Sequence, residues 1–207
     1  MRKIILSALA VFAFSFANAQ QTKFGVKGGL NLSNWAGDTD GVNLKYKVGF
    51  NGGLFADVKL SEKVSLQPEV LYSLVGTKID DFTIDIDGQE YTGDVNFNMS
   101  YIYIPVMLEL KVAEKFNLEV GPQLGFLLSA KSVTKLEGNS QKVKEDIKSI
   151  FNTIDFGLNF GANYDFDEHF ILGFRYNLGL SNIAKTEEGD SSKIQNSVFS
   201  LGLGYKF

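Results

Sequence analysis

Nucleophilic catalysis needs a base within reach of a hydroxyl or thiol, and this sequence supplies one histidine, His169, and no cysteine. His169 stands beside Asp167-Glu168, which reads as a tight turn between two alternating segments. Neither a Ser–His pair nor a His-based metal site is therefore expected. Asp80, Asp81, Asp85 and Asp87 form an acidic run. Their spacing does not match an EF-hand, so they read as a solvated loop face. The remaining candidates are charged residues on one parity of the alternating segments: Lys27, Asp57, Glu69, Glu109, Glu119 and Arg175. A set of this kind supports an ion path or proton relay if it is open. It is a structural plug if its members neutralise one another. The choice depends on the elements that carry them.

Those elements are strands. Eight segments alternate with period 2, at about Thr22–Asn34, Tyr46–Leu60, Lys63–Lys78, Met99–Val112, Phe116–Lys131, Phe151–Phe166, His169–Ile183 and Phe199–Phe207. The last sets Phe199, Leu201, Leu203, Tyr205 and Phe207 on one face, against Ser200, Gly202, Gly204 and Lys206 on the other. Three connectors are short: Ser61-Glu62, Ala113–Lys115 and Asp167-Glu168. Four are long: Asn34–Lys45, Ile79–Asn98, Ser132–Ile150 and Ala184–Asn196. Short turns at one end and long loops at the other are the layout of an outer-membrane β-barrel, with the short ends in the periplasm. In the second long loop, Asp87-Gly88 reads as the tip of a hairpin extending the third and fourth strands. Gln141–Ile150 reads as a short surface helix or a loop.

Volume decides which face points inward. About six apolar side chains per strand, many of them Phe, Leu or Tyr, overfill the interior of an eight-stranded barrel, whereas the Gly-, Ser- and Asn-rich opposite face fits. A soluble, ligand-binding barrel with an apolar lumen is disfavoured on that ground. Eight strands leave an interior filled by side chains, and open channels belong to barrels of about 16 strands or more. Arg175, the only arginine after Arg2, lies about six residues past a periplasmic turn. Glu69 lies at the same depth and Glu119 and Glu109 slightly lower. Arg175 is expected to pair with Glu69, Glu119 or both. Aromatic residues near the strand ends (Phe24, Phe116, Tyr164, Phe166, Phe170, Tyr205 and Phe207 below, Tyr46, Tyr72 and Phe199 above) fit interfacial girdles. Trp35 falls at the start of the first long loop, as a rim anchor or a contact residue.

The chain's start agrees with export. Met1-Arg2-Lys3 is basic, Ile4–Phe16 apolar, and Ala17-Asn18-Ala19 an A-x-A site, so residues 1–19 read as a signal peptide and 20–207 as the barrel domain. Of 20 basic residues, Arg2 and Lys3 leave with the leader, so 18 face 24 acidic ones and the mature charge is −6. That is no nucleic-acid footprint.

The segments Phe24-Gly25-Val26-Lys27-Gly28-Gly29, Tyr101-Ile102-Tyr103-Ile104-Pro105, Asp155-Phe156-Gly157-Leu158-Asn159-Phe160-Gly161 and Arg175-Tyr176-Asn177-Leu178-Gly179-Leu180 resemble the PorT-type, porin-like outer-membrane β-barrel family. The resemblance covers essentially the whole mature chain. The terminal strand, with Phe199, Leu203, Tyr205 and Phe207, resembles the signal that barrel-assembly machinery reads during insertion. The resemblance implies an all-β, eight-stranded antiparallel up-and-down transmembrane barrel, monomeric, non-enzymatic and without cofactor, in contact with outer-membrane lipid and lipopolysaccharide. Some relatives are implicated in secretion or gliding, so a structural, surface-interaction or secretion-associated role through the external loops is expected. The alternatives are a small-solute or ion porin and a lipid-modifying enzyme.

Overall fold

The two ends of the chain close the structure. β1 (Thr22–Gly37) and β9 (Ile194–Lys206) run antiparallel, from Gly25 opposite Lys206 to Gly37 opposite Ile194. The Phe207 N–H donates to the Phe24 carbonyl at 2.8 Å, extending the seam to the last residue. Between these strands lie β2 (Leu44–Lys59), β3 (Val64–Ile86), β4 (Gln89–Ala113), β5 (Phe116–Leu136), the short β6 (Lys142–Asp146), β7 (Ile154–Asp165) and β8 (Phe170–Gly179). Pairing runs β1-β2-β3-β4-β5-β7-β8-β9 and back to β1, a ring of eight antiparallel strands. β6 stands outside the ring, on the upper part of β5. The computed structural model describes residues 22–39, 42–86, 89–136, 142–186 and 191–207; the leader and the Asp87-Gly88 tip lie outside them.

Closure matters because a spanning wall must satisfy its own backbone hydrogen bonds. The alternation is disposed as volume requires. Phe24, Leu30, Val48, Leu54, Leu201 and Leu203 are more than half exposed, while Asn31, Gln67, Glu69 and Asn159 are buried. So large an apolar belt in water would be costly; hydrocarbon removes the cost. Aromatic residues ring its lower edge, where Tyr205 packs edge-on against both Phe170 (5.0 Å) and Phe207 (5.6 Å). Tyr46, Tyr176 and Phe199 gather at the upper edge, with Tyr176 and Phe199 4.6 Å apart.

The turns at the lower end are fixed by side chains. The Ser61 hydroxyl accepts from the N–H of Val64 at 3.1 Å. The Asp167 carboxylate accepts from the N–H groups of Phe170 (2.7 Å) and His169 (2.8 Å), which hold its pKa below the usual carboxylate value. At the upper end β3 and β4 continue as a hairpin to Ile86 and Gln89, as the alternation around Asp87-Gly88 indicates. β5 runs further than its alternation indicates, to Leu136, and pairs with β6. Gln141–Ile150 is thus not a helix in its described part: Lys142–Asp146 is a strand, and only Lys148–Ile150 forms a single 3₁₀ turn. Pairing with Lys131–Lys135 outweighs the weak helical preference of so short a segment.

On the opposite wall the strands are shorter. β7 begins at Ile154 and β8 ends at Gly179, so Phe151 and Ile183 lie beyond the strand ends, where Phe151 bridges to Ala184. The Asn152 amide donates to the Asn182 and Ala184 carbonyls, both at 2.9 Å, and the Asn182 side chain accepts from the N–H of Ile194 at 3.0 Å. These bonds hold Ile183 in the mouth, where its side chain is fully buried. β9 then starts at Ile194, five residues before Phe199.

Candidate functional site: the barrel lumen

Inward parity places charged residues from several strands around one axis. β1 supplies Lys27, β3 Glu69, β4 Glu109, β5 Glu119 and β8 Arg175, and the structure brings these five together. The Arg175 Nη1 and Nη2 atoms donate to the two Glu69 oxygens, each at 2.9 Å. Its Nε donates to Glu119 Oε1 at 2.6 Å and its Nη2 to Oε2 at 3.0 Å. One guanidinium therefore spans the lumen with two carboxylate forks, the bidentate geometry that makes arginine pairs strong. Lys27 donates to Glu69 at 2.7 Å and to Gln67 at 2.8 Å.

Glu109 sits directly across the β4–β5 ladder from Glu119, a like-charge neighbour. Asn163 on β7 bridges the two, donating to Glu109 at 2.7 Å and to Glu119 at 3.0 Å, and Gln67 donates to Glu109 at 3.0 Å. Asp57 does not join this layer. It pairs with Lys206 at 2.9 Å one level lower, in a vestibule of about 950 Å³ at the end that carries the short turns. Glycine makes room for the clamp: Gly161 stands opposite Arg175, and a Cβ there would collide with the Glu119 carboxylate and the Phe174 carbonyl.

Above the clamp is a layer of amides and hydroxyls. Asn31 donates to Ser73 at 2.9 Å and accepts from Asn51 (2.6 Å) and Ser200 (2.8 Å). Across the lumen, Asn177 donates to Asn159 and Asn159 to Gln123, at 3.0 and 3.2 Å. These groups border a cavity of about 80 Å³. That is room for a few waters and little more.

The upper third is apolar. Leu71, Val75, Met99, Tyr101, Tyr103, Leu127, Ala130 and Val198 point inward from the wall, and Phe151 and Ile183 enter from the connections. Tyr103 stacks on Tyr101 at 5.0 Å, lies over Gly125, and donates to Asp155 at 3.2 Å. Asp155 also accepts from Asn196 (2.9 Å) and Ser181 (2.8 Å), tying β7 to β9 and to the inserted connection. Trp35 is neither a rim anchor nor a free contact residue. Its ring is half-buried and packs against this plug, 4.8 Å from Phe97 and 5.7 Å from Phe151. It follows the inward parity of Ser33 rather than the loop boundary.

Sequence patterning places Tyr101, Tyr103 and Met107 inside, but it gives a small, polar interior along the whole length. The plug corrects that. Its signal is a local failure of alternation: Val70-Leu71-Tyr72, Leu74-Val75 and Phe126-Leu127-Leu128 are apolar on both faces. His169 lies at the β7–β8 turn, its Nδ1 2.8 Å from the Lys206 carbonyl and its ring stacked on Tyr205. Asp80 pairs with Lys45 at 3.1 Å.

A family model described as an outer membrane protein beta-barrel domain matches residues 18–185. Among solved structures, neisserial surface protein A is 14% identical, with 91% of this chain and 100% of that one covered at a TM-score of 0.52. The attachment invasion locus protein Ail of Yersinia pestis is 13% identical over 91% and 100%, at a TM-score of 0.47. At such identity the likeness to neisserial surface protein A is one of fold. No curated protein matches this sequence.

Proposed function

Since the chain belongs to the outer membrane protein beta-barrel domain family, we propose that it is a closed-lumen outer-membrane barrel that acts through its outer surface rather than by conducting a solute. The observation that carries this reading is the stacking of two seals on one axis. The Arg175–Glu69–Glu119 clamp crosses the lumen from wall to wall, and the Tyr101–Ile183 plug fills the mouth above it. The cavity of about 80 Å³ that lies above and beside the clamp has room for a few waters and no more. The charged cluster is then a structural plug whose carboxylates are satisfied by Arg175, Lys27, Gln67 and Asn163.

The role is structural, surface-interacting or secretion-associated, as in the PorT-type family its motifs resemble. The long strands β3, β4 and β5 reach beyond the membrane and present the surface for it, since rigid scaffolds carry recognition on their connections. The protein is exported with removal of residues 1–19, inserted by barrel-assembly machinery that reads Phe199, Leu203, Tyr205 and Phe207, and works as a monomer without enzymatic activity.

Single-channel recording on purified protein in planar bilayers tests the closed lumen. The expected trace is free of steady open conductance. A stable open level would favour the ion-porin alternative and reject the two-seal reading.

A further inference from the structure

The outer wall changes character sharply on β5. Its outward side chains run Leu118, Val120, Leu124, Phe126 and Leu128. A bulge, where Ser100 and Tyr101 of β4 face Ser129 and Leu127, then resets the register. Above it the outward positions are Ser129, Lys131, Val133 and Lys135. β6 sets Asp146, Lys144 and Lys142 opposite the last three, on the same face. Lys131, Lys135, Lys142 and Lys144 are all exposed. Lys148 reaches down to the boundary itself, its Nζ donating to the Leu128 carbonyl at 3.0 Å.

Three features of this face point to an anion. Lys135 stands directly opposite Lys142, a like-charge pair that destabilises a ladder unless a counter-charge intervenes. On this face four lysines meet Asp94, opposite Lys135, and Asp146, opposite Lys131. The height is also specific: Lys131 is three residues above Leu128, roughly 7–10 Å at ~3.3 Å per residue along a tilted strand, which is the head-group level. On β9 the outward positions above Phe199 are the uncharged Ser197 and Gln195.

We propose that the β5–β6 face seats the phosphate groups of an anionic glycolipid of the outer leaflet, making a one-sided lipid site on the barrel. Acyl chains of the same molecule lie against Leu124, Phe126 and Leu128 while the lysines hold its phosphates. The proposal rests on the membrane reading above and gives it a partner.

The test reconstitutes the full chain into phosphatidylcholine vesicles containing a small fraction of a bis-phosphorylated lipid A. Lipid retained after mild detergent extraction is then quantified by native mass spectrometry. Wild type is expected to retain the phosphorylated glycolipid and not its dephosphorylated form. The variant K131Q/K135Q/K142Q/K144Q should lose retention by tenfold or more, since each basic residue near an anionic surface contributes roughly fivefold. A control, K63Q/K115Q at the periplasmic turns, should match wild type. Migration of unheated samples on a gel verifies that all three are folded. Undiminished retention by the quadruple variant overturns the site, as does displacement of the lipid by excess inorganic phosphate, which would mark a free-anion site instead. Failure of wild type to enter vesicles at all would reject the membrane reading beneath it.

Discussion

Replacing Arg175 with methionine is expected to lower the stability of the folded barrel by about 3–5 kcal/mol, the usual cost of stripping one partner from a buried ion pair. The side chain is only 13% exposed and the Glu69 side chain has no exposure, so water does little to replace the lost guanidinium. Methionine leaves Glu69 with Lys27, but leaves Glu119 beside Glu109 with Asn163 alone between them. Lysine at 175 keeps the charge but cannot hold both forks, so its effect should fall between wild type and methionine. Urea unfolding in vesicles, followed by tryptophan emission from Trp35, measures the difference. An unchanged midpoint in Arg175→Met would show that the clamp is not what holds the layer.

Tyr103→Ala should have an effect of similar size, about 3–5 kcal/mol, because a buried aromatic is deleted from a packed region. Tyr103 covers Gly125, stacks on Tyr101 and donates to Asp155, so alanine removes packing and a hydrogen bond together. Tyr103→Phe removes the hydrogen bond only and should cost about 1 kcal/mol. The same unfolding assay separates the two. Equal losses in both variants would place the weight on Asp155 rather than on the ring.

The outer half of this architecture was written in the alternation itself. Val48, Phe50 and Leu54 face out and Glu69 faces in because a strand has period 2, and the three short turns fixed which ends lie together. Arg175 was legible as a clamp because a lone guanidinium at the depth of Glu69 has few other ways to be neutralised. What the pattern withheld was anything set by tertiary packing. Ile183 enters the mouth because Asn152 and Asn182 redirect the backbone, and side-chain-to-backbone bonds of that kind carry no periodic signal. β6 was hidden for a related reason. Its five exposed residues, Lys142–Asp146, gain strand character only from β5 beside them.

The inside-out assignment is the claim on which the lumen, the seals and the lipid face all depend. The chain's lack of cysteine makes it directly measurable. Single cysteines at Ser200 and Leu201, neighbours on β9, are labelled with an environment-sensitive fluorophore, and the protein is folded into vesicles whose lipids carry brominated acyl chains. Strong quenching at 201 and little at 200 is the expected result, with the two residues on opposite sides of one wall. Quenching at 200 with protection at 201 would turn the barrel's faces around and contradict the account.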